Sequence, residues 1–171
     1  ADDVIGTLAR AAAAKNLEVI ISTGDKDMAQ LVCENIRLVN TMDHSVLDIA
    51  GVVKKFGVRP DQIIDYLTLI GDKVDNIPGI DKVGPKTAVK WLEKYDKLDN
   101  IISNADEIPG KIGDNLRTSI EDLPLSKRLV TIIDSIELDV APDQLQPTPW
   151  DQDRLTELFR ELEFKSWLKQ L

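Results

Sequence analysis

The chain has 171 residues, of which 43% are hydrophobic, and 30 acids against 21 bases give it a net charge of −9. That is enough apolar material for one domain or two small lobes, and it excludes wholesale disorder. No apolar run approaches the roughly 20 residues that a membrane-crossing helix needs. The acidic average argues against a polyanionic partner, unless the charges are segregated. They are: several acids fall in tight pairs, and several lysines recur at helical spacing. A metal site beside a phosphate-tracking face would produce such a split. The single cysteine, Cys33, cannot form an internal disulfide and reads as a buried thiol in a reducing cytoplasm. Ala1-Asp2-Asp3 has no initiating methionine, so the sequence reads as the interior of a longer protein.

In chain order, residues 3–15 carry Val4, Ile5, Leu8, Ala11 and Ala12 at helical spacing, which predicts a helix ending near Asn16. Val19-Ile20-Ile21 is a short continuous apolar run and predicts a buried parallel strand. Ser22-Thr23-Gly24 is the loop after it, residues 25–32 restart as a short helix, and residues 36–40 alternate as a second strand. His44 falls in a turn, Thr-Met-Asp-His-Ser, and reads as a surface residue. From about Asp48 the pattern becomes helical: 49–56, 60–70 with Pro60 in its first turn, 85–95, 113–122, 125–133, and 149–162 capped by Thr148. Leu155, Leu158, Phe159 and Leu162 form one stripe, expected to face the core, and Trp150 and Trp167 read as packing residues. The outline is an α/β lobe over 1–48 followed by an all-helical lobe over 49–171.

Three aspartate pairs stand out. Asp2 and Asp3 open the first helix, Asp25 and Asp27 follow the first strand in Ser-Thr-Gly-Asp-Lys-Asp, and Asp72 and Asp75 lie in Gly-Asp-Lys-Val-Asp-Asn. Ligands gather beyond the carboxyl ends of strands in open α/β sheets, where Asp25 and Asp27 would sit. Carboxylates are the preferred ligands of Mg²⁺ and Mn²⁺, and two such ions roughly 4 Å apart can hydrolyse a phosphodiester. Without cations, each carboxylate pair at 4 Å costs about 1 kcal/mol in water and about 4 at an effective dielectric of 20. Each pair alone also suits a helix start, a cap or a loop, and spacing does not show that the pairs converge. A strand followed by Asp-x-Asp is also the pattern of haloacid dehalogenase phosphatases, but there the nucleophile follows the strand directly, and here Ser22-Thr23-Gly24 intervenes.

Residues 77–88 read Ile-Pro-Gly-Ile-Asp-Lys-Val-Gly-Pro-Lys-Thr-Ala. Pro78 stops what precedes it, Gly79 permits an unusual backbone angle, Gly84 allows close backbone approach, and Pro85 starts a helix. Such a hairpin between helices offers N–H groups to a phosphate without reading bases. Lys82, Lys86, Lys90, Lys94 and Lys97 follow, the last four expected along one face, with Ala88, Trp91, Leu92 and Tyr95 on the other. A lysine stripe alone is ordinarily a solvated face. Joined to this hairpin, it reads as a grip on the DNA backbone.

These segments together, with Ala1-Asp2-Asp3-Val4-Ile5-Gly6-Thr7, residues 22–32 (Ser-Thr-Gly-Asp-Lys-Asp-Met-Ala-Gln-Leu-Val) and Glu163-Phe164-Lys165-Ser166-Trp167-Leu168, closely resemble the 5′-nuclease domain of bacterial DNA polymerases I, in the flap endonuclease family. The resemblance implies a partial PIN-like (Rossmann-like) lobe, then a helix-3-turn-helix lobe (helix–hairpin–helix, SAM-like). It implies two Mg²⁺ or Mn²⁺ ions served by Asp2, Asp3, Asp25, Asp27, Asp72 and Asp75. A K⁺ ion at the hairpin is implied as well, with DNA held by Gly79, Lys82, Gly84, Lys86, Thr87 and Lys90. The implied reaction is hydrolysis near 5′ ends, nicks and flaps of double-stranded DNA, serving primer removal and repair in the bacterial cytoplasm at the nucleoid. The expected protein is a monomer with a polymerase domain following. Relatives carry a glutamate directly before Ala-Asp-Asp, and an N-terminal half with further metal aspartates and a basic arch. Those features lie outside these residues, so a DNA-gripping fragment without catalysis is the second expectation.

Overall fold

The first helix, α1 (Asp2–Ala14), is rich in alanine and buries only small residues, Gly6, Ala9 and Ala12, so it lies close against its neighbours. Asn16, with φ 59, turns the chain out of it. This is a computed structural model that describes all residues, Ala1 to Leu171. Strand β1 (Val19–Ser22) pairs in parallel with β2 (Ile36–Asn40), Val19 opposite Ile36. Between them the expected helix is a 3₁₀ segment, Asp27–Leu31, with Met28, Ala29, Gln30 and Leu31 buried. A third strand, β3 (Ser45–Leu47), pairs antiparallel with β2 and was not anticipated, because three residues carry too little alternation. The turn before it is as expected, with His44 exposed at φ 57. β1 is an edge strand, and its burial is one-sided: Ile21 is buried while Ile20 is 56% exposed, which corrects the expectation of a fully buried strand. Cys33 is half-buried rather than buried.

Helix α2 (Ile49–Phe56) starts where Asp48 accepts a hydrogen bond from the Gly51 N–H and stops at Gly57, φ 76. The stretch expected as one helix over 60–70 is divided. Pro60–Gln62 is a 3₁₀ turn, held by Gln62 reaching back to the Arg59 N–H, and α3 (Ile63–Ile70) follows. Six of the eight residues of α3 are buried, which makes it the centre of the molecule. It packs against α4 (Pro85–Tyr95), α7 (Leu123–Val130) and the 3₁₀ segment Asp27–Leu31. Helix α5 (Leu98–Ser103) was missed, being six residues long, below what periodicity reveals. Helix α6 (Gly110–Ser119) follows Pro109, and α7 carries Pro124 in its first turn, so both begin earlier than the apolar pattern suggested. One apolar core runs continuously from Ile21, Ile36 and Leu38 through Leu67 and Leu69 to Leu92, Leu116 and Val130.

Two buried polar side chains tie this core together. Asp65 on α3 accepts from the Leu98 N–H at 2.9 Å and pairs with Lys127 of α7 at 2.9 Å. Gln30 donates to the carbonyls of Asp27 and Val130, both at 2.9 Å, and accepts from the Ile132 N–H at 3.0 Å. All the hydrogen-bonding capacity used by Gln30 is backbone, so it sets the spacing between two distant chain segments.

The C-terminal region departs most from expectation. Helix α8 runs Gln152–Glu161, with Asp151 rather than Thr148 as its cap, and buries no residue. Its stripe faces α9 (Lys165–Leu168) instead of the core: Phe159, Phe164 and Trp167 form a small aromatic cluster with centroids 4.8–6.1 Å apart. Trp150 is 77% exposed and Trp167 52%, so neither packs into the body.

The connection after α3 is the tightest part of the chain. Gly71, at φ 72, ends the helix. Asp72 and Ile77 then exchange both backbone hydrogen bonds, at 2.9 and 2.7 Å, closing a narrow turn. That turn brings Gly79 against the end of α3: a Cβ on Gly79 would lie 2.2 Å from the Ile70 carbonyl carbon. Gly79 has no positive φ, so close approach, not an unusual backbone angle, is what demands glycine there. Gly84 is the reverse: it is extended, and a Cβ on it would meet nothing within 4 Å, so the close backbone approach expected there is not made within this chain. Gly79→Ala is therefore expected to lower stability by more than about 2 kcal/mol, since backbone must move. Gly84→Ala should cost less than about 1, the difference between the two residues at a helix N-cap. Urea midpoints of the two variants against wild type check this.

Candidate metal centre and nucleic-acid interface

The loop after β1 is built from its own side chains. Thr23 Oγ1 accepts from the Asp25 N–H at 3.0 Å, and Asp25 Oδ1 accepts from the Asp27 N–H at 2.9 Å. These bonds steer the chain into the 3₁₀ segment whose backbone Gln30 then fixes. Opposite it stands the Asp72–Ile77 turn. Asp72 Oδ1 accepts from the Val74 N–H at 2.8 Å, and its other oxygen takes an ion pair from Lys26. The result is a group of three carboxylates, Asp27, Asp72 and Asp75, with ligand atoms all within 4.8 Å of one another.

The electrostatics of this group are unbalanced. Burial, then the charge of Asp25, push the Asp27 carboxyl up to about 6, against a relief from Lys26. Asp27 Oδ1 is the one buried side-chain polar atom in the chain with no hydrogen-bond partner. Asp72 goes the other way: its hydrogen bond from Lys26 holds it below the usual carboxylate range in spite of burial. For Lys26, burial works against the charge, but the hydrogen bond and charge of Asp72 outweigh it and raise the ammonium above its ordinary value. Hard oxygen donors close together, one of them orphaned and reluctant to ionise, fit a divalent cation.

Of the six aspartates singled out, the structure brings Asp27, Asp72 and Asp75 together, and Asp25 is exposed beside them. Asp2 and Asp3 stand outside the group. Asp2 is exposed in the first turn of α1, and Asp3 accepts from the Ile133 N–H at 2.9 Å. Lys26 and Gln30 were not singled out. Lys26 could have been noticed as the base between two acids, whereas nothing local marks Gln30 in its apolar run.

The hairpin lies directly downstream. Ile80 donates to the Leu69 carbonyl at 2.9 Å, which fastens it to α3, and Lys82 takes a left-handed φ of 64. The N–H groups of Gly84 and Lys86 donate to no backbone carbonyl, as expected of an open helix start. On α4, Lys86 and Lys90 are exposed, Thr87 is half-buried, and Ala88, Trp91 and Leu92 are buried. Lys94 folds over Tyr95, donating to its hydroxyl at 2.8 Å. Lys97 does not join the stripe, because the helix ends at Tyr95 and Asp96 turns the chain at φ 67. Beside Lys86, Lys90 and Lys94 runs a cleft of about 460 Å³, floored by Trp91 and walled opposite by Ile108 and Pro109.

An acidic cluster at the carboxyl end of a parallel strand, joined by one turn to a helix–hairpin–helix, defines a class of nucleic-acid-processing domain. Residues 1–57 match the family described as 5′-3′ exonuclease, N-terminal resolvase-like domain, and residues 58–153 match 5′-3′ exonuclease, C-terminal SAM fold. The chain belongs to the 5′-3′ exonuclease family. It is 50% identical to DNA polymerase I of Pseudomonas aeruginosa, over all of this chain and 20% of that one. It is 42% identical to the 5′-3′ exonuclease of Aquifex aeolicus, over all of this chain and 58% of the relative. It thus spans one fifth of the one and little more than half of the other. The fold is shared with bacteriophage T5 5′-exonuclease bound to zinc, at a TM-score of 0.71 and 21% identity over 77% of this chain and 49% of that one. It is shared likewise with the T5 flap endonuclease complexed with DNA and metal ions, at 0.72 and 21% over 77% and 49%. No helix is long and apolar enough to cross a membrane.

The raised Asp27 carboxyl gives a pH signature. Its folded value of about 6 exceeds the ordinary 3.8, so the folded state holds the proton more tightly than the unfolded state. The contribution of Asp27 to the stability of the protein in chelator should therefore fall as pH rises from about 4 through 6, then level off. Asp27→Asn should remove that slope, raising Tm by several degrees at pH 7.5 in chelator and leaving it unchanged at pH 4. Thermal melts across pH test this; a wild-type slope retained in the variant would contradict it.

Proposed function

We propose that this chain is the metal-binding and duplex-gripping portion of a structure-specific 5′-nuclease that hydrolyses DNA phosphodiesters at 5′ ends, nicks and flaps. The observation that carries the reading is the single turn, Asp72–Gly79, that supplies two carboxylates of the acidic group at one end and the hairpin at the other. Asp25, Asp27, Asp72 and Asp75 hold divalent ions, two Mg²⁺ or Mn²⁺. Asp2 and Asp3 join them on the strength of the family resemblance alone, as does K⁺ at the hairpin. Divalent ions bound by these carboxylates would supply a water of lowered pKa and stabilise charge on a leaving oxygen. The chain's own residues do the rest. Gln30 keeps Asp27 opposite Asp72, and the open start of α4 with Gly84, Lys86 and Thr87 receives a backbone phosphate. Lys82 and Lys90 extend the grip along the duplex, and Gly79 holds the hairpin in place. On this reading the PIN-like lobe covers residues 1–48 and the gripping lobe 49–171, the latter also supplying Asp72 and Asp75 to the acidic group. The parent protein is a monomeric bacterial DNA polymerase I acting at the nucleoid in primer removal and repair, supported by identity to such polymerases across the whole chain.

One observation favours a second reading, a gripping module that does not cut on its own: only three of the six carboxylates converge. Mg²⁺-dependent cleavage of a labelled 5′-flap duplex, with binding measured in Ca²⁺, separates the two. Cleavage supports the nuclease, binding alone supports the module, and neither activity would refute both. In whichever form of the protein cuts, Asp25→Ala should abolish cleavage and leave DNA binding within about twofold, since Asp25 is exposed. Lys86→Ala should weaken binding at all sequences alike and reduce the slope of log K against log salt by about 0.9.

A further inference from the structure

We infer that Lys26 is the resident counter-ion of the metal-free centre, and that a divalent ion binds by displacing its ammonium from Asp72. The inference rests on the metal reading above and adds a competitor built into the chain. Both oxygens of Asp72 are occupied. Oδ1 accepts from the Val74 N–H at 2.8 Å, inside the turn that closes on Ile77, and Oδ2 carries Lys26. The first bond belongs to the backbone and stays. Each oxygen keeps a second lone pair, but an ammonium and a divalent ion on the same buried carboxylate repel each other, so an ion that binds Asp72 drives Lys26 off.

The burial of the pair makes displacement consequential. The Asp72 side chain is 5% exposed and that of Lys26 is 37% exposed. A buried carboxylate stripped of its cation is strongly unfavourable, so one cation or the other must be there. Lys26 is tethered next to the group and is always present, and its flexible stem has solvent to retreat into. Lys26 thus partly neutralises three carboxylates that lie within 4.8 Å of one another. A divalent ion brings twice the charge and can also satisfy Asp27 Oδ1, which Lys26 leaves without a partner.

The test is Mn²⁺ affinity by calorimetry on the full chain, for wild type, Lys26→Met and Lys73→Met. Lys73 is an exposed neighbour of Asp72 and reports the general effect of removing one positive charge. Lys26→Met should bind Mn²⁺ about tenfold tighter or more, the lower end of what close charge pairs contribute. Lys73→Met should stay within about twofold. Equal affinities for the two variants, or no gain in Lys26→Met, would overturn the displacement. A second readout needs no variant: the ¹⁵N signal of the Lys26 ammonium in wild type, held in chelator, should broaden and shift on Mg²⁺ saturation. A signal unmoved by saturating Mg²⁺ would also overturn it. Mn²⁺ binding by wild type that Asp72→Asn abolishes keeps the metal centre standing if only the displacement fails. No Mn²⁺ binding by wild type and Lys26→Met alike would remove both.

Discussion

The acidic group and the hairpin both depend on the contact between Gly79 and the end of α3. Two backbone segments meet there at a distance that leaves no room for a side chain. Because they meet, the intervening residues are forced into a closed turn that projects Asp72 and Asp75 toward the loop after β1. For the same reason the hairpin starts flush against the most buried helix of the molecule. The acidic group and the hairpin, which look like separate motifs, are therefore one piece of backbone geometry. Neither can shift without the other.

Charge is arranged around that piece in two ways. At the acidic group, negative charge is concentrated to the point where one carboxyl resists ionisation and another depends on a lysine. Along α4, Lys86 and Lys90 are exposed and make no ion pair, while Lys94 turns to Tyr95 with Glu107 on the same cleft. A net charge of −9 is the average of these two regions and describes neither.

Much of this was legible in the sequence, and the failures have physical causes. Long amphipathic helices such as α2 and α4 appear at their observed bounds, because caps and periodicity agree there. Short elements were missed: β3 has three residues and α5 six, too few for a period to show. The stripe on α8 was read correctly as apolar but assigned to the wrong partner, since periodicity says that a face is covered and not by what. In the site, residue types announced the aspartates and the hairpin. Their convergence depends on contacts across the fold: Gln30 reaches residues 130 and 132, and Lys26 reaches Asp72. Such long-range pairs leave no local pattern, so Asp27 could be named as a candidate but not placed opposite Asp72.

Gln30 carries a further consequence. The group that fixes the loop of Asp27 is uncharged and is bonded only to main chain. Its hold is neither screened by electrolyte nor altered by protonation across the physiological range. The lysines on α4 are exposed, and their attraction to a polyanion weakens steeply as ions are added. Alignment and capture thus obey different solution variables. A change in ionic strength alters the field of the α4 lysines while leaving the main-chain tether of the Asp27 loop in place.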